Sequence, residues 1–164
     1  MQLGHYDTLD KMPDVKIDCV LLVCGISSEN LGLIMRSADV FGANAIYYLG
    51  NADSKKLSKL SRNSHIPVHF VSDSASIKGQ GYQMVALEIT DNSIPLRSKA
   101  FQDKVCLVIG NEQKGIPDDM LNEVEDTCHI EMIGGRISSL NVSMATSIAL
   151  YEISQFFLKN QPRQ

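Results

Sequence analysis

The feature that most constrains the fold is an almost unbroken apolar run near the beginning of the chain. Residues 17–25 read IDCVLLVCG, a stretch rich in branched side chains that ends in glycine. A strand without polar alternation has to be covered on both faces, which is the position of a central strand in a parallel sheet. Parallel strands are joined by crossover segments, so this run predicts that helices separate the strands that follow it.

The sequence after this run has the expected alternation of helix and strand patterns. Ser27, Ser28 and Asn30 offer capping side chains for a helix that Gly42 ends. The apolar positions of this helix recur at helical spacing, at Leu31, Ile34, Ala38 and Phe41. Further strands are predicted at 45–50, 68–71, 83–90, 104–111 and 126–132, and further helices at 55–62, after Pro117 and at 141–158. The segment 72–81 fits a helix or a loop.

Strand and helix patterns that take turns predict an α/β fold with a mainly parallel sheet flanked by helices. The 164 residues, 44% of them hydrophobic, suffice for one buried core and are too few for two full-sized domains. We therefore expect an N-terminal arm at residues 1–16 and a single domain at residues 17–160.

Charge and cysteine content exclude several classes of protein. The chain has 15 Lys and Arg residues against 19 Asp and Glu, so any nucleic-acid partner has to be held by a local basic patch rather than by bulk charge. No apolar stretch of about 18 residues predicts a membrane helix, and the N-terminus lacks the pattern of a secretory signal. The four cysteines have no C-x-x-C spacing, so we expect reduced thiols in a cytoplasmic protein, without a metal site or a disulfide.

The last predicted helix has an apolar arc of about 200°, which is wider than one sheet face covers. Its opposite side carries small residues that permit close approach of another segment, namely Ser143, Thr146, Ser147 and Ser154. The arc itself is formed by Val142, Met144, Ala145, Ile148, Ala149, Tyr151, Ile153, Phe156 and Phe157. A subunit interface is the natural second cover for this arc, and an unusually buried helix within one chain is the alternative.

Three stretches rich in Gly and Asn lie at the ends of predicted strands, at 30–43, 107–116 and 130–143. Open α/β sheets bind ligands at the carboxyl ends of their strands. Each stretch also has an ordinary structural interpretation. The first is a helix capped by Asn30 with a solvent-exposed Arg36, the second is a turn with an exposed Glu112, and the third is a glycine turn followed by a helix cap.

Together, the three stretches resemble the ordered motifs of the SpoU (TrmH-like) family of RNA ribose 2′-O-methyltransferases, within the SPOUT superfamily. The first matches N-x-G-x-x-x-R-S-A-x-x-F-G-A, the second V-x-G-N-E-x-x-G-I, and the third ends in the specific string SLNVS at 139–143. The resemblance runs from about residue 17 to the end of the last helix. It implies a C-terminal deep trefoil knot, S-adenosyl-L-methionine as cofactor, a homodimer, and methyl transfer to a ribose 2′-hydroxyl of tRNA or rRNA.

The resemblance also implies roles for individual residues. Arg36 matches the catalytic arginine of the family, and Asn30 and Glu112 match polar residues around it, while Ser139 and Asn141 match the functional pair of the third motif. A guanidinium is a poor base, so Arg36 needs a partner such as a substrate phosphate. Positions expected to hold the cofactor are Leu87, Gly110, Asn111, Ile130, Met132 and Leu140. No metal is expected.

Two departures from the family pattern affect the third motif. Glu131 stands where proline is common, and the loop that contains Gly134 and Gly135 is one residue longer than usual.

The 16 residues before the first strand are too few for an RNA-binding domain, so RNA recognition is expected from the dimer surface. Candidate contacts for RNA are Lys55, Lys56, Lys59 and Arg62, although a solvated helix face explains them equally well. Neither DNA nor a membrane is expected as a partner.

Two other classes of function remain open. A non-catalytic RNA-binding or assembly factor would keep the methyltransferase fold. Such a factor has no need to retain the five polar residues Asn30, Arg36, Glu112, Ser139 and Asn141. A dinucleotide-dependent oxidoreductase is suggested only by the α/β pattern. The chain has no G-x-G-x-x-G turn after its first strand, which argues against a dinucleotide site.

Overall fold

The structure is a computed structural model that describes residues 15–50 and 64–160. The predicted N-terminal arm, except for its last two residues, lies outside the described residues. The predicted helix at 55–62, with its run of basic side chains, also lies outside them.

Within the described ranges, seven strands form one sheet in which every pairing is parallel. Their order across the sheet is β3-β2-β1-β6-β4-β7-β5. The apolar run that begins the domain becomes β1, every residue of which is buried, between β2 and β6. The strands are β1 (Cys19–Cys24), β2 (Ala45–Leu49), β3 (Val68–Val71), β4 (Gln83–Leu87), β5 (Ile94–Pro95), β6 (Val105–Ile109) and β7 (Asp126–His129).

The helices connect these strands and cover the sheet. Of the helices in the described residues, two are long and the others are single turns. They are α1 (Ser28–Val40), α2 (Ala75–Lys78), α3 (Asp118–Leu121) and α4 (Val142–Asn160), with a 3-10 turn at Leu96–Ser98. Pro117 precedes the first turn of α3, as its fixed φ favours. The segment 72–81 contains both alternatives that the sequence allowed, because α2 is followed by a turn.

Several predicted strands are too long at their carboxyl ends. The strands predicted to end at residues 90, 111 and 132 end at Leu87, Ile109 and His129. After each of these residues the backbone leaves the sheet ladder. After β6, for example, Asn111 and Gly115 exchange two backbone hydrogen bonds of 2.9 Å with each other. Local hydrogen bonds in the loops therefore replace the strand pairing that the apolar pattern predicted.

The sheet divides the core into two layers. One layer lies between the sheet and the two long helices, and includes Leu31, Leu107 and Ile153. The other lies on the opposite face, where Ile77 and Met120 from the short helices cover Cys106 and Val108. Burial on both faces explains why the central strands lack polar alternation.

The small side chains of α4 lie where another segment approaches, as the sequence predicted. That segment is α1, since the hydroxyls of Ser37 and Ser147 lie 2.7 Å apart. Ser143 and Thr146 are buried. In contrast, three apolar residues of the predicted arc are exposed, with relative accessibilities of 59% for Met144, 39% for Ile148 and 48% for Tyr151. One chain therefore does not bury the whole arc.

The four cysteines are free thiols in the core. Burial raises the pKa of Cys19 to about 12 and that of Cys24 to about 11, so these thiols stay protonated at neutral pH. Across residues 15–50 and 64–160, no helix is long and apolar enough to cross a bilayer. The same residues hold no group of three or more side chains arranged to bind a metal ion.

Candidate active site

A cavity of about 380 Å³ opens where the carboxyl ends of β4, β6 and β7 meet the beginning of α4. Parallel strands bring these ends to one edge of the sheet, which is where α/β proteins bind ligands. The cavity is lined by Leu87, Glu88, Ile89, Ile109, Gly110, Asn111, Glu112, His129, Ile130, Met132, Ser139, Leu140, Asn141, Val142 and Ala145. The six predicted cofactor positions and three of the predicted catalytic positions are among these residues.

Gly110 has a steric reason to be glycine. It is buried at the end of β6, and a Cβ atom there would lie 2.4 Å from the carbonyl carbon of Gly115. The loop over residues 110–116 therefore folds back on Gly110 at a distance that excludes any side chain. Asn111 braces the same loop, because its side-chain oxygen accepts the backbone N–H groups of Gln113 at 2.9 Å and Lys114 at 3.2 Å.

Three of the predicted catalytic residues form one chain of hydrogen bonds. The side-chain amide of Asn141 donates to Oδ1 of Asn30 at 3.2 Å, and the amide of Asn30 donates to the Glu112 carboxylate. The backbone N–H of Ser27 also donates to that carboxylate, at 3.4 Å. These residues come from α1, from the loop after β6 and from the beginning of α4. The network therefore fixes the orientation of both amides.

The helix caps of this network differ in part from the prediction. Ser27, and not Asn30, caps α1, since its hydroxyl accepts the Asn30 backbone N–H at 3.2 Å. Asn30 lies in the first turn, and its side chain is free to bond Glu112 because Ser27 supplies the cap. Asn141 does cap α4, as its Oδ1 accepts the backbone N–H of Ser143 at 2.9 Å.

Glu112 is held in its charged form. Partial burial raises the pKa of this carboxyl, but the hydrogen bonds from Asn30 and from Ser27 outweigh burial, and the net pKa lies below its ordinary value of 4.5. A carboxylate with a lowered pKa is a weak base. At neutral pH it carries a negative charge and accepts the hydrogen bond of the Asn30 amide.

The lowered pKa of Glu112 has a consequence for stability. Because the pKa is lower in the folded state, ionised Glu112 stabilises the fold above pH 4.5, and this contribution is lost as the pH falls through the folded-state pKa. We expect wild type to exceed Glu112→Gln in free energy of unfolding at pH 7, with a difference that shrinks below pH 4.5. Urea denaturation at several pH values measures this. A difference independent of pH would contradict the assigned hydrogen bonds.

Arg36 is not brought into this network. It is exposed on α1 and lines a second cavity, of about 360 Å³, between α1 and the beginning of α4. It lies six residues after Asn30, which corresponds to about 9 Å along the helix axis and a different face of the helix. Among the described residues, it has no hydrogen-bond or ion-pair partner. Ile34 and Ala38, on the opposite face of α1, are buried, as the helical pattern predicted.

The third motif begins with an open loop. Every residue from 131 to 140 is exposed, and a Cβ atom at Gly134 or Gly135 would meet nothing within 4 Å. Ser139 belongs to this loop and lines the cavity beside Asn141. Glu131, which stands where proline is common, pairs with Arg97 at 3.6 Å on the surface. The longer loop therefore stands clear of the protein body at the cavity mouth.

Comparison with protein families agrees with this geometry. A family model described as the SpoU rRNA methylase family matches residues 19–151. The chain belongs to this family. The match includes all three motif stretches and all seven strands.

Individual relatives and structures show how far the similarity extends. The tRNA (guanosine(18)-2′-O)-methyltransferase of Escherichia coli (strain K12) is 30% identical over 131 residues, which are 76% of this chain and 57% of that protein. The Aquifex aeolicus protein of the same name is 30% identical over 145 residues, which are 82% of this chain and 68% of that protein. The AdoMet-bound rRNA methyltransferase from Sinorhizobium meliloti superposes with a TM-score of 0.78 and 28% identity, covering 92% of this chain and 61% of that one.

The chain thus spans 57% of the length of its Escherichia coli relative. Its mainly parallel seven-stranded sheet matches the fold of SpoU methyltransferase structures. The deep trefoil knot fits these structural neighbours and stays a prediction for this chain.

Some cavity residues of this SpoU chain are missing from the sequence prediction. Glu88 and His129 both line the cavity, yet each lies inside a segment that the apolar pattern assigned to a strand. The sequence offered one signal for a site at these two positions, since each polar residue lies next to the carboxyl end of an apolar run. Without the true strand ends, neither residue could be placed at the edge of the sheet.

Proposed function

We propose that this SpoU chain is an S-adenosyl-L-methionine-dependent methyltransferase that transfers a methyl group to a ribose 2′-hydroxyl of tRNA or rRNA. One observation carries the proposal. The cavity at the sheet edge is lined by all six positions that the resemblance assigns to the cofactor, and also by Glu112, Ser139 and Asn141. The names of the relatives include both tRNA and rRNA as targets, so the proposal covers both. We also propose that the activity is cytoplasmic.

The cavity suits a nucleoside cofactor. Its volume of about 380 Å³ lies within the range of about 300–1,000 Å³ that is typical of ligand sites. Leu87, Ile130 and Leu140 provide apolar walls for an adenine ring, and Gly110 contributes its backbone to the cavity wall. When bound, S-adenosylmethionine supplies an electrophilic methyl group.

The chain's own residues then orient the substrate and stabilise charge. The chain of hydrogen bonds through Asn141, Asn30 and Glu112 gives the rim of the cavity fixed donors and acceptors. Such preorganised dipoles lower the barrier without having to reorganise during the reaction. We assign the guanidinium of Arg36 to stabilising the negative charge that develops on the ribose oxygen, together with a substrate phosphate.

We also propose that the working form is a homodimer. Exposed apolar residues continue from α4 onto α1, where Leu33 is 45% and Val40 is 77% accessible. Both of these residues line the second cavity with Arg36. A second copy of the chain covers this surface and places Arg36 at the border of the interface.

The proposal is tested by cofactor binding and by methyl transfer. Isothermal titration calorimetry is expected to show micromolar binding of S-adenosylhomocysteine and none of NAD. Purified protein with labelled S-adenosylmethionine is expected to methylate unmodified tRNA or rRNA, with a 2′-O-methylnucleoside identified by mass spectrometry. Binding of NAD alone would refute the proposal. Binding of cofactor and RNA without transfer would instead establish the non-catalytic RNA-binding factor.

A further inference from the structure

We propose that Glu88 is a positioning residue for the cofactor cavity. Its carboxylate ties the loop over residues 110–116 to the end of β4. Through that loop it sets the positions of Gly110 and Asn111 in the cavity wall. The inference rests on the proposed function, because this wall is the one assigned to S-adenosylmethionine.

Both the backbone and the carboxylate of Glu88 form hydrogen bonds within the protein. Its N–H donates to the carbonyl of Cys128 at 3.0 Å, at the end of the pairing of β4 with β7. Its side chain is half-buried at the cavity and accepts two backbone N–H groups, from Ile89 at 3.0 Å and from Ile116 at 3.3 Å. A solvated surface glutamate has no such pair of partners, so the contacts favour a role in holding the loop.

The loop that Glu88 holds is rigid in itself. Asn111 and Gly115 are joined by two backbone hydrogen bonds, and the Asn111 side chain accepts two further N–H groups within the loop. Side-chain hydrogen bonds tie it to the segments around it, including the bonds of Glu112 to the beginning of α1 described above. On the side of β1, the Asn111 amide donates to the carbonyl of Gly25, and on the side of β4, Ile116 donates to Glu88. A rigid loop that loses one of these ties can shift as a unit.

Gly115 gives independent support for this contact. Its φ of +67° suits glycine, and a Cβ atom there would lie 2.8 Å from Oε2 of Glu88. The carboxylate therefore packs directly against the loop backbone. The close approach and the hydrogen bond to Ile116 together fix both the distance and the direction between the end of β4 and the loop.

Binding and kinetics distinguish positioning from general stability. We expect Glu88→Ala to raise the Kd of S-adenosylhomocysteine about tenfold, and Glu88→Gln about threefold because its amide oxygen keeps one acceptor. The KM for S-adenosylmethionine should rise in parallel, with kcat nearly unchanged, because saturating cofactor holds the loop in place. A merely structural role would lower kcat through loss of active protein and leave KM unchanged.

Glu125→Ala is the matched control, since Glu125 is exposed and its side chain makes no hydrogen bond or ion pair with the described residues. It should bind S-adenosylhomocysteine like wild type. Without ligand, amide hydrogen exchange in residues 110–116 should be faster in Glu88→Ala and unchanged in Glu125→Ala. This readout does not require any cofactor.

The outcomes separate the two proposals. A Kd for Glu88→Ala within twofold of wild type, or a loss confined to kcat, would overturn the role of Glu88. Should Glu88→Ala fail to fold, Glu88→Gln decides, and an affinity equal to wild type overturns the inference. If wild type does not bind S-adenosylhomocysteine, the cofactor proposal fails, and hydrogen exchange still tests the tie between Glu88 and the loop.

Discussion

Replacing Arg36 with alanine is expected to lower methyl transfer at least about a hundredfold, the scale typical of losing a group that stabilises transition-state charge. The fold should survive, because Arg36 is exposed and has no ion-pair partner among the described residues. Cofactor binding should also survive, because Arg36 lines the second cavity and not the one assigned to S-adenosylmethionine. Single-turnover methylation and calorimetry with S-adenosylhomocysteine measure the two effects separately.

Two further variants make the result specific. Arg36→Lys keeps the positive charge but not the planar fork, so activity between that of wild type and Arg36→Ala would show that geometry matters as well as charge. Arg97→Ala removes an exposed arginine that lines neither cavity, and it should stay within about twofold of wild type. An Arg36→Ala protein that fails to fold would indicate a structural ion pair. An Arg36→Ala protein that methylates RNA at the wild-type rate would show that Arg36 has no role in the mechanism.

The elements of the fold were predictable because their patterns are local. An apolar run such as β1 is recognisable without knowing its neighbours, and so is the 3.6-residue spacing of α1. The order of the strands was not predictable in the same way. The position of β6 between β1 and β4 depends on its pairing with β1, 86 residues earlier in the sequence, and with β4, 22 residues earlier. The periodicity of each segment says nothing about these contacts.

The candidate site was predictable only in part, for a related reason. Asn30, Glu112 and Asn141 meet because the carboxyl ends of parallel strands and the helices that follow them share one edge. Arg36 lies away from this network because the twist of α1 places it on a different face from Asn30. The role of Glu88 depends on how closely its carboxylate approaches the backbone at Gly115. Contacts of this kind arise from tertiary packing, so motif spacing alone does not give them.

Replacing Ile148 with aspartate is expected to separate the proposed dimer and to abolish RNA methylation. Ile148 is 39% exposed on α4, between the exposed Met144 and Tyr151, and it lines neither cavity. A carboxylate at this position remains solvated in the monomer, so the monomer should stay folded. In an apolar interface it would be buried without a partner, at a cost of several kcal/mol.

Ile94→Asp is the matched control for this variant, because Ile94 is also an isoleucine, also 39% exposed and also outside both cavities, but it lies on β5 and not on α4. Sedimentation velocity should show wild type and Ile94→Asp as dimers and Ile148→Asp as a monomer, with unchanged helix content by circular dichroism. S-adenosylhomocysteine binding and RNA methylation then tell whether one chain can hold the cofactor yet needs a second copy for transfer. Wild-type protein that sediments as a stable monomer at micromolar concentration would reject the interface, because an apolar stripe buried between two copies should hold them together at that concentration.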